Sequence, residues 1–170
     1  ITANGESSGG VAYPASFTLW DGVIKCATTT GYGAGINATS SATVNIHGGI
    51  IEGGVSTKNY GGNIYVAGTL LMDGGILRDG KSLLGGGNLA VVGAKANATI
   101  TGDAQILNGV GGDATVEGDY GRGGNIRVNT AGATLTFAVD EGTLVEPEFK
   151  AMPHDDAGTL IEFIEEIPTT

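Results

Sequence analysis

With 170 residues and 41% hydrophobic side chains, the chain is long enough for one domain with a continuous core. Glycine reaches 32 residues against 4 prolines, without the every-third-residue period that collagen requires. A formal net charge of −10 argues against nucleic acid and anionic membrane surfaces as partners, since both are gripped by Lys and Arg.

Taken in chain order, the apolar runs repeat. A first copy reads Gly9-Gly10-Val11-Ala12-Tyr13 and continues as Phe17-Thr18-Leu19-Trp20-Asp21-Gly22-Val23-Ile24. A weaker opening, Gly33-Ala34-Gly35-Ile36-Asn37, precedes Val44-Asn45-Ile46-His47-Gly48-Gly49-Ile50-Ile51. Gly61-Gly62-Asn63-Ile64-Tyr65-Val66 leads to Leu70-Leu71-Met72-Asp73-Gly74-Gly75-Ile76-Leu77. Gly86-Gly87-Asn88-Leu89-Ala90-Val91 leads to Ile100-Thr101-Gly102-Asp103-Ala104-Gln105-Ile106-Leu107, aligned without gaps. Gly123-Gly124-Asn125-Ile126-Arg127-Val128 precedes a degraded fifth copy beginning at Leu135-Thr136-Phe137.

Three short strands per repeat, stacked at a near-constant period, describe the coils of a solenoid, because one coil cannot bury its apolar side alone. The fold expected is all-β: a right-handed parallel β-helix of about five coils over residues 1–144. Residues 145–170 form an irregular acidic C-terminal cap or linker that covers the exposed strand edge. Within the second segment, Phe17 and Leu19, Val44 and Ile46, and Leu70 and Met72 alternate inward at period two. Asn63, Asn88 and Asn125 are expected to stack as a ladder in a corner, tolerating left-handed geometry. Lys25, Glu52, Arg78 and Asn108 form a second ladder, with neighbouring opposite charges.

The loops between third and first segments vary most, and such insertions commonly form the binding side of a solenoid. They are Thr28–Gly33, Val55–Tyr60, Lys81–Gly85 and Val110–Arg122. One cysteine, Cys26, leaves the redox compartment open, and the start at Ile1 reads as a processed or excised segment. No run approaches the ~18 apolar residues of a membrane span, so membrane insertion is not expected.

The GGNIYV–GTLLMDGGIL pattern of residues 61–77 resembles the pectate-lyase-like β-helix modules of exported and cell-surface, adhesin-like bacterial proteins. The resemblance spans about residues 9–144 and specifies architecture better than function, since one fold carries lyases, hydrolases, adhesins and stalks. It implies an extracellular or cell-surface location. The function expected is that of a non-catalytic module that binds a host protein or glycan, packs against a neighbouring module, or acts as a stalk. A polysaccharide lyase or hydrolase fragment is the alternative, with an ice-binding solenoid and a filament subunit behind it. Ice binding rests on the outward pairs Ser16/Thr18, Thr43/Asn45, Thr69/Leu71, Thr99/Thr101 and Thr134/Thr136, with Asn45 and Leu71 interrupting the second column.

No nucleophile elbow, HExxH, paired CxxC, phosphate loop or EF-hand loop is present, and no catalytic residue is assigned. The candidate binding residues are a corner column of Trp20, His47, Asp73 and Asp103, spaced about 4.8 Å per coil, together with Tyr120. Stacked Asp73 and Asp103 would suit a cation or the paired carboxylates of a glycosidase. Asp113, Glu117 and Asp119 are the candidate Ca²⁺ ligands. No other cofactor is expected.

Overall fold

The computed structural model describes residues 1–3, 6–8, 11–112 and 122–138, with the backbone alone for 6–8 and 11–13. Its elements are all strands. The first coil holds β1 (Thr2–Ala3), a hairpin of β2 (Glu6–Ser8) and β3 (Val11–Tyr13), then β4 (Ala15–Leu19), β5 (Val23–Lys25) and β6 (Thr28–Thr29). The second holds β7 (Ile36–Ala38), β8 (Ala42–Ile46), β9 (Ile50–Glu52) and β10 (Val55–Ser56). The third holds β11 (Ile64–Val66), β12 (Thr69–Met72), β13 (Ile76–Arg78) and β14 (Lys81–Ser82). The fourth holds β15 (Leu89–Val91), β16 (Asn97–Ile100), β17 (Gln105–Leu107) and β18 (Val110–Gly111), before β19 (Ile126–Val128) and β20 (Thr134–Phe137) begin another.

Corresponding strands pair in parallel from coil to coil. They build the sheets β1-β7-β11-β15-β19, β4-β8-β12-β16-β20, β5-β9-β13-β17 and β6-β10-β14-β18. The molecule is a parallel β-solenoid of about four coils, and each coil carries a fourth short strand where the sequence shows only loop. Two residues such as Thr28–Thr29 are too short to display a period, so β6, β10, β14 and β18 become legible only through their cross-coil pairing.

The core is a set of inward ladders. Ile36, Ile64 and Leu89 stack in the first sheet, and Val44, Leu70 and Ala98 in the second, all without solvent exposure. Ile51 and Leu77 continue the core in the third sheet. β-Branched residues suit these pleated positions, and fully burying one such side chain stabilises by about 1.5–3 kcal/mol. The ladders end in partly buried residues: Phe17, Leu19 and Ile24 at one end, Ile126 and Leu135 at the other.

Two expected registers are corrected. Val11 does not begin the first coil. Ser8 pairs antiparallel with Val11 in the hairpin, while Thr2 and Ala3 take the sheet edge opposite Asn37 and Ala38. The 25-residue interval from Val11 to Ile36 matches the later period without being part of it.

In the fourth coil, Ile100 pairs with Met72 rather than Leu70, and Ile106 with Leu77 rather than Ile76. Three residues separate Met72 from Ile76, whereas four, Thr101 to Ala104, separate Ile100 from Gln105. The extra residue restores Ile106 to the core and turns the polar Gln105 outward. A gapless alignment would reverse both, because a one-residue slip exchanges the faces of a strand.

The asparagine ladder is continuous. Asn63 Nδ2 donates to Asn88 Oδ1 at 2.7 Å, and Asn88 Nδ2 to Asn125 Oδ1 at 2.8 Å. Each side-chain carbonyl also accepts a backbone N–H, from Gly54, Gly80 and Gly109 in turn. The left-handed positions are not the asparagines but the glycines two residues earlier, Gly61, Gly86 and Gly123, with φ of +69°, +68° and +62°. A Cβ at Gly86 would also overlap the Leu89 carbonyl, so glycine is required there for space as well as for φ. The charge ladder holds at Glu52 and Arg78, whose Nε and Nη2 both donate to Glu52 Oε2, at 2.8 and 2.6 Å. Its next member is Leu107; Asn108 instead stacks on Asp79.

Candidate functional site

The corner between second and third sheets places Trp20, His47 and Asp73 in one column. His47 N–H bonds to the Leu19 carbonyl and Asp73 N–H to the Ile46 carbonyl, which sets the side chains one coil apart. The indole of Trp20 lies on the imidazole of His47, with ring centroids 4.2 Å apart and planes inclined by 23°. His47 Nδ1 is 2.8 and 2.9 Å from the two Asp73 carboxylate oxygens. The carboxylate thereby fixes the imidazole, and the imidazole supports the indole. Trp20 remains 72% exposed, an unusual state for the chain's single tryptophan.

Asp103 is not in this column. Thr101 N–H bonds to the Met72 carbonyl, so Thr101 is stacked next to Asp73. Asp103 is exposed within the four-residue corner that the gapless reading had closed. The stacked Asp73–Asp103 pair, considered for a cation or a glycosidase, is therefore not formed. The same shift alters the threonine array: Asn97 joins Ser16, Thr43, Thr69 and Thr134, while Thr99 joins Thr18, Asn45, Leu71 and Thr136. Tyr120 and the candidate Ca²⁺ ligands Asp113, Glu117 and Asp119 lie outside the described residues, as does the 145–170 segment. Among the described residues, no three His, Cys, Asp or Glu side chains gather as a metal site would need.

A second aromatic group was not anticipated. Tyr32, Tyr60 and Tyr65 converge where the loops after β6 and β10 meet β11. Tyr32 and Tyr65 centroids are 4.5 Å apart, and the Tyr32 and Tyr60 rings lie 6.5 Å apart and nearly parallel, at 6°. Arg127 places its guanidinium 5.4 Å from the Tyr60 centroid and donates to the Leu84 carbonyl and Asn129 Oδ1. Asn129 Nδ2 in turn donates to the Tyr60 hydroxyl at 3.0 Å. Burial, followed by the neighbouring Tyr32 and Tyr60, pushes the Tyr65 phenol above its ordinary pKa. Only coil stacking reveals the group, since Tyr32 and Tyr60 sit in loops of unequal length. The available signal was that both precede a left-handed glycine, Gly33 and Gly61.

Cys26 occupies the place where the asparagine ladder lacks a member. Gly35 stands before Ile36 as Asn63 stands before Ile64, and a Cβ on Gly35 would meet Cys26 Sγ at 2.5 Å. The thiol donates to the Ile24 carbonyl at 3.7 Å, much as Asn63 Nδ2 donates to the Ile51 carbonyl. Burial raises the Cys26 pKa, so the thiol is held protonated and is a poor nucleophile. Two depressions on the surface, one beside Cys26, Glu52 and Asp79 and one along β10, β14 and β18, are both open to solvent. No family model, curated protein or solved structure matched the chain in comparison.

Proposed function

We propose that the chain is a non-catalytic β-helix module of a secreted or surface-exposed bacterial protein, and that it binds a host glycan or protein. One observation carries this reading: an indole left 72% exposed yet held in place by a built support, His47 beneath it and Asp73 beyond. An aromatic face ordered before a ligand arrives avoids much of the side-chain entropy lost on binding. Exposed aromatic surface that is rigid and bordered by polar groups is the usual anchor of recognition.

The arrangement favours binding over catalysis. Asp73 commits both carboxylate oxygens to His47, and Asp103 is exposed elsewhere in its corner, so these two do not form a catalytic carboxylate pair. Arg78, the nearest basic residue in sequence for a lyase, is engaged with Glu52 on the adjacent strand of the third sheet. The test is a panel of soluble glycans and a mucin glycoprotein, titrated against the protein with and without Ca²⁺. Saturable binding lost in Trp20→Ala supports the module. Product release from an acidic polysaccharide would make it an enzyme, and absence of any saturable ligand would leave a structural stalk.

A further inference from the structure

We infer that the Tyr32–Tyr60–Tyr65 group is a second ligand site, and that it takes uncharged pyranose rings of a glycan chain. The inference rests on the reading as a binding module and assigns it a ligand class and a separate face. Tyr32 is 42% exposed, and its ring is braced by Tyr65 at 4.5 Å and Tyr60 at 6.5 Å. Tyr60 is braced in turn: Asn129 holds its hydroxyl and Arg127 covers its ring. Arg127 itself is anchored to the Leu84 carbonyl. A chain of contacts running from the loop after β6 to β19 therefore fixes one exposed aromatic plane.

The chemistry of that face fits a neutral sugar. A pyranose presents a C–H face that packs on an aromatic ring and an equatorial rim of hydroxyls that need hydrogen-bond partners. The tyrosines supply the rings and phenols, and Asn129 orients the Tyr60 hydroxyl. Arg127 spends N–H groups on the Leu84 carbonyl and Asn129 Oδ1 with its guanidinium over the Tyr60 ring, so it acts as a support, and the net charge of −10 disfavours an acidic sugar. Successive coils are about 4.8 Å apart, close to the length of one sugar unit, so a glycan lying along the solenoid axis meets consecutive coils in register.

The test uses the full chain and saturation-transfer NMR, with cellohexaose, laminarihexaose, mannohexaose and hexagalacturonate as probes. A neutral hexasaccharide is expected to bind with transfer from tyrosine ring protons, at least fivefold more weakly in Tyr32→Ala and nearly unchanged in Asn45→Ala, an exposed position on the second sheet. Tyr32→Phe, which keeps the ring, is expected to retain most of the binding. No neutral hexasaccharide bound at millimolar concentration, a preference for hexagalacturonate, or binding indifferent to Tyr32→Ala would each overturn the assignment. Binding lost only in Trp20→Ala would overturn it too, while leaving the module reading intact.

Discussion

Replacing Asn88 with alanine removes the central member of the amide ladder, and the structure sets the cost. Asn88 is fully buried and makes four hydrogen bonds: it accepts from Asn63 Nδ2 and Gly80 N–H and donates to the Leu107 carbonyl and Asn125 Oδ1. Asn63 keeps a second acceptor, the Arg78 carbonyl, and Asn125 keeps the Gly109 N–H. Gly80 N–H loses its partner, whereas the Leu107 carbonyl still accepts from Asp79 N–H. Leaving the buried Gly80 N–H unsatisfied costs about 1–3 kcal/mol and the two lost ladder bonds to Asn63 and Asn125 about 1 kcal/mol each, so the substitution is expected to destabilise by about 4 kcal/mol. That is a large share of the 5–15 kcal/mol typical of a domain. Urea unfolding, followed by circular dichroism and compared with Asn45→Ala, measures it, since Asn45 makes only an exposed bond to Thr18. Asn88→Asp should be similarly costly at neutral pH, because a carboxylate cannot donate to Leu107. A loss below about 1 kcal/mol for Asn88→Ala, or one no greater than that of Asn45→Ala, would refute the ladder as a main support of the coils.

Further expectations follow from the same geometry. Leu70→Ala, in the fully buried inward ladder, should cost about 2–5 kcal/mol, whereas its outward neighbour Leu71→Ala should stay within about 0.5 kcal/mol by the same unfolding assay. Because the folded state raises the Tyr65 pKa, the phenol stays protonated there after it ionises in the unfolded chain. Its contribution is therefore complete below the ordinary tyrosine value and lost as pH rises from about 10 upward, a slope that Tyr65→Phe should reduce. Cys26, shielded and held protonated, should react with iodoacetamide at pH 8 far more slowly in the native protein than in urea. Arg78→Ala should cost no more than about 1 kcal/mol, because the pair with Glu52 is partly solvated.

How far these features were legible depends on whether they recur in sequence. Ile64, Leu89 and Ile126 announced the first sheet because each follows the same Gly-Gly-Asn, and the ladder of Asn63, Asn88 and Asn125 lay in that motif. Trp20, His47 and Asp73 stacked as spacing suggested, since their corners have equal length. Asp103 did not, because one inserted residue in a corner is invisible when the flanking Ile-Leu pair aligns equally well without it. β1 was hidden by the hairpin after it, and the real interval from Thr2 to Asn37 is longer than the repeat. The tyrosine group was hidden for a different reason. Its members come from a loop in each of two coils and a strand, brought together by stacking rather than by spacing. Cys26 shows the same limit: its role depends on Gly35, nine residues later, lacking a side chain.

The single indole makes the central proposal directly measurable. Trp20 fluorescence, titrated with each member of the glycan panel and with mucin, reports only on the exposed face of the His47-supported column. A saturable shift in emission with one ligand, absent for unrelated sugars and weakened when His47→Ala removes the support, is the result expected of a preorganised binding module. Emission unchanged by every ligand, while partners bind elsewhere or not at all, would contradict the assignment of this column as a recognition site.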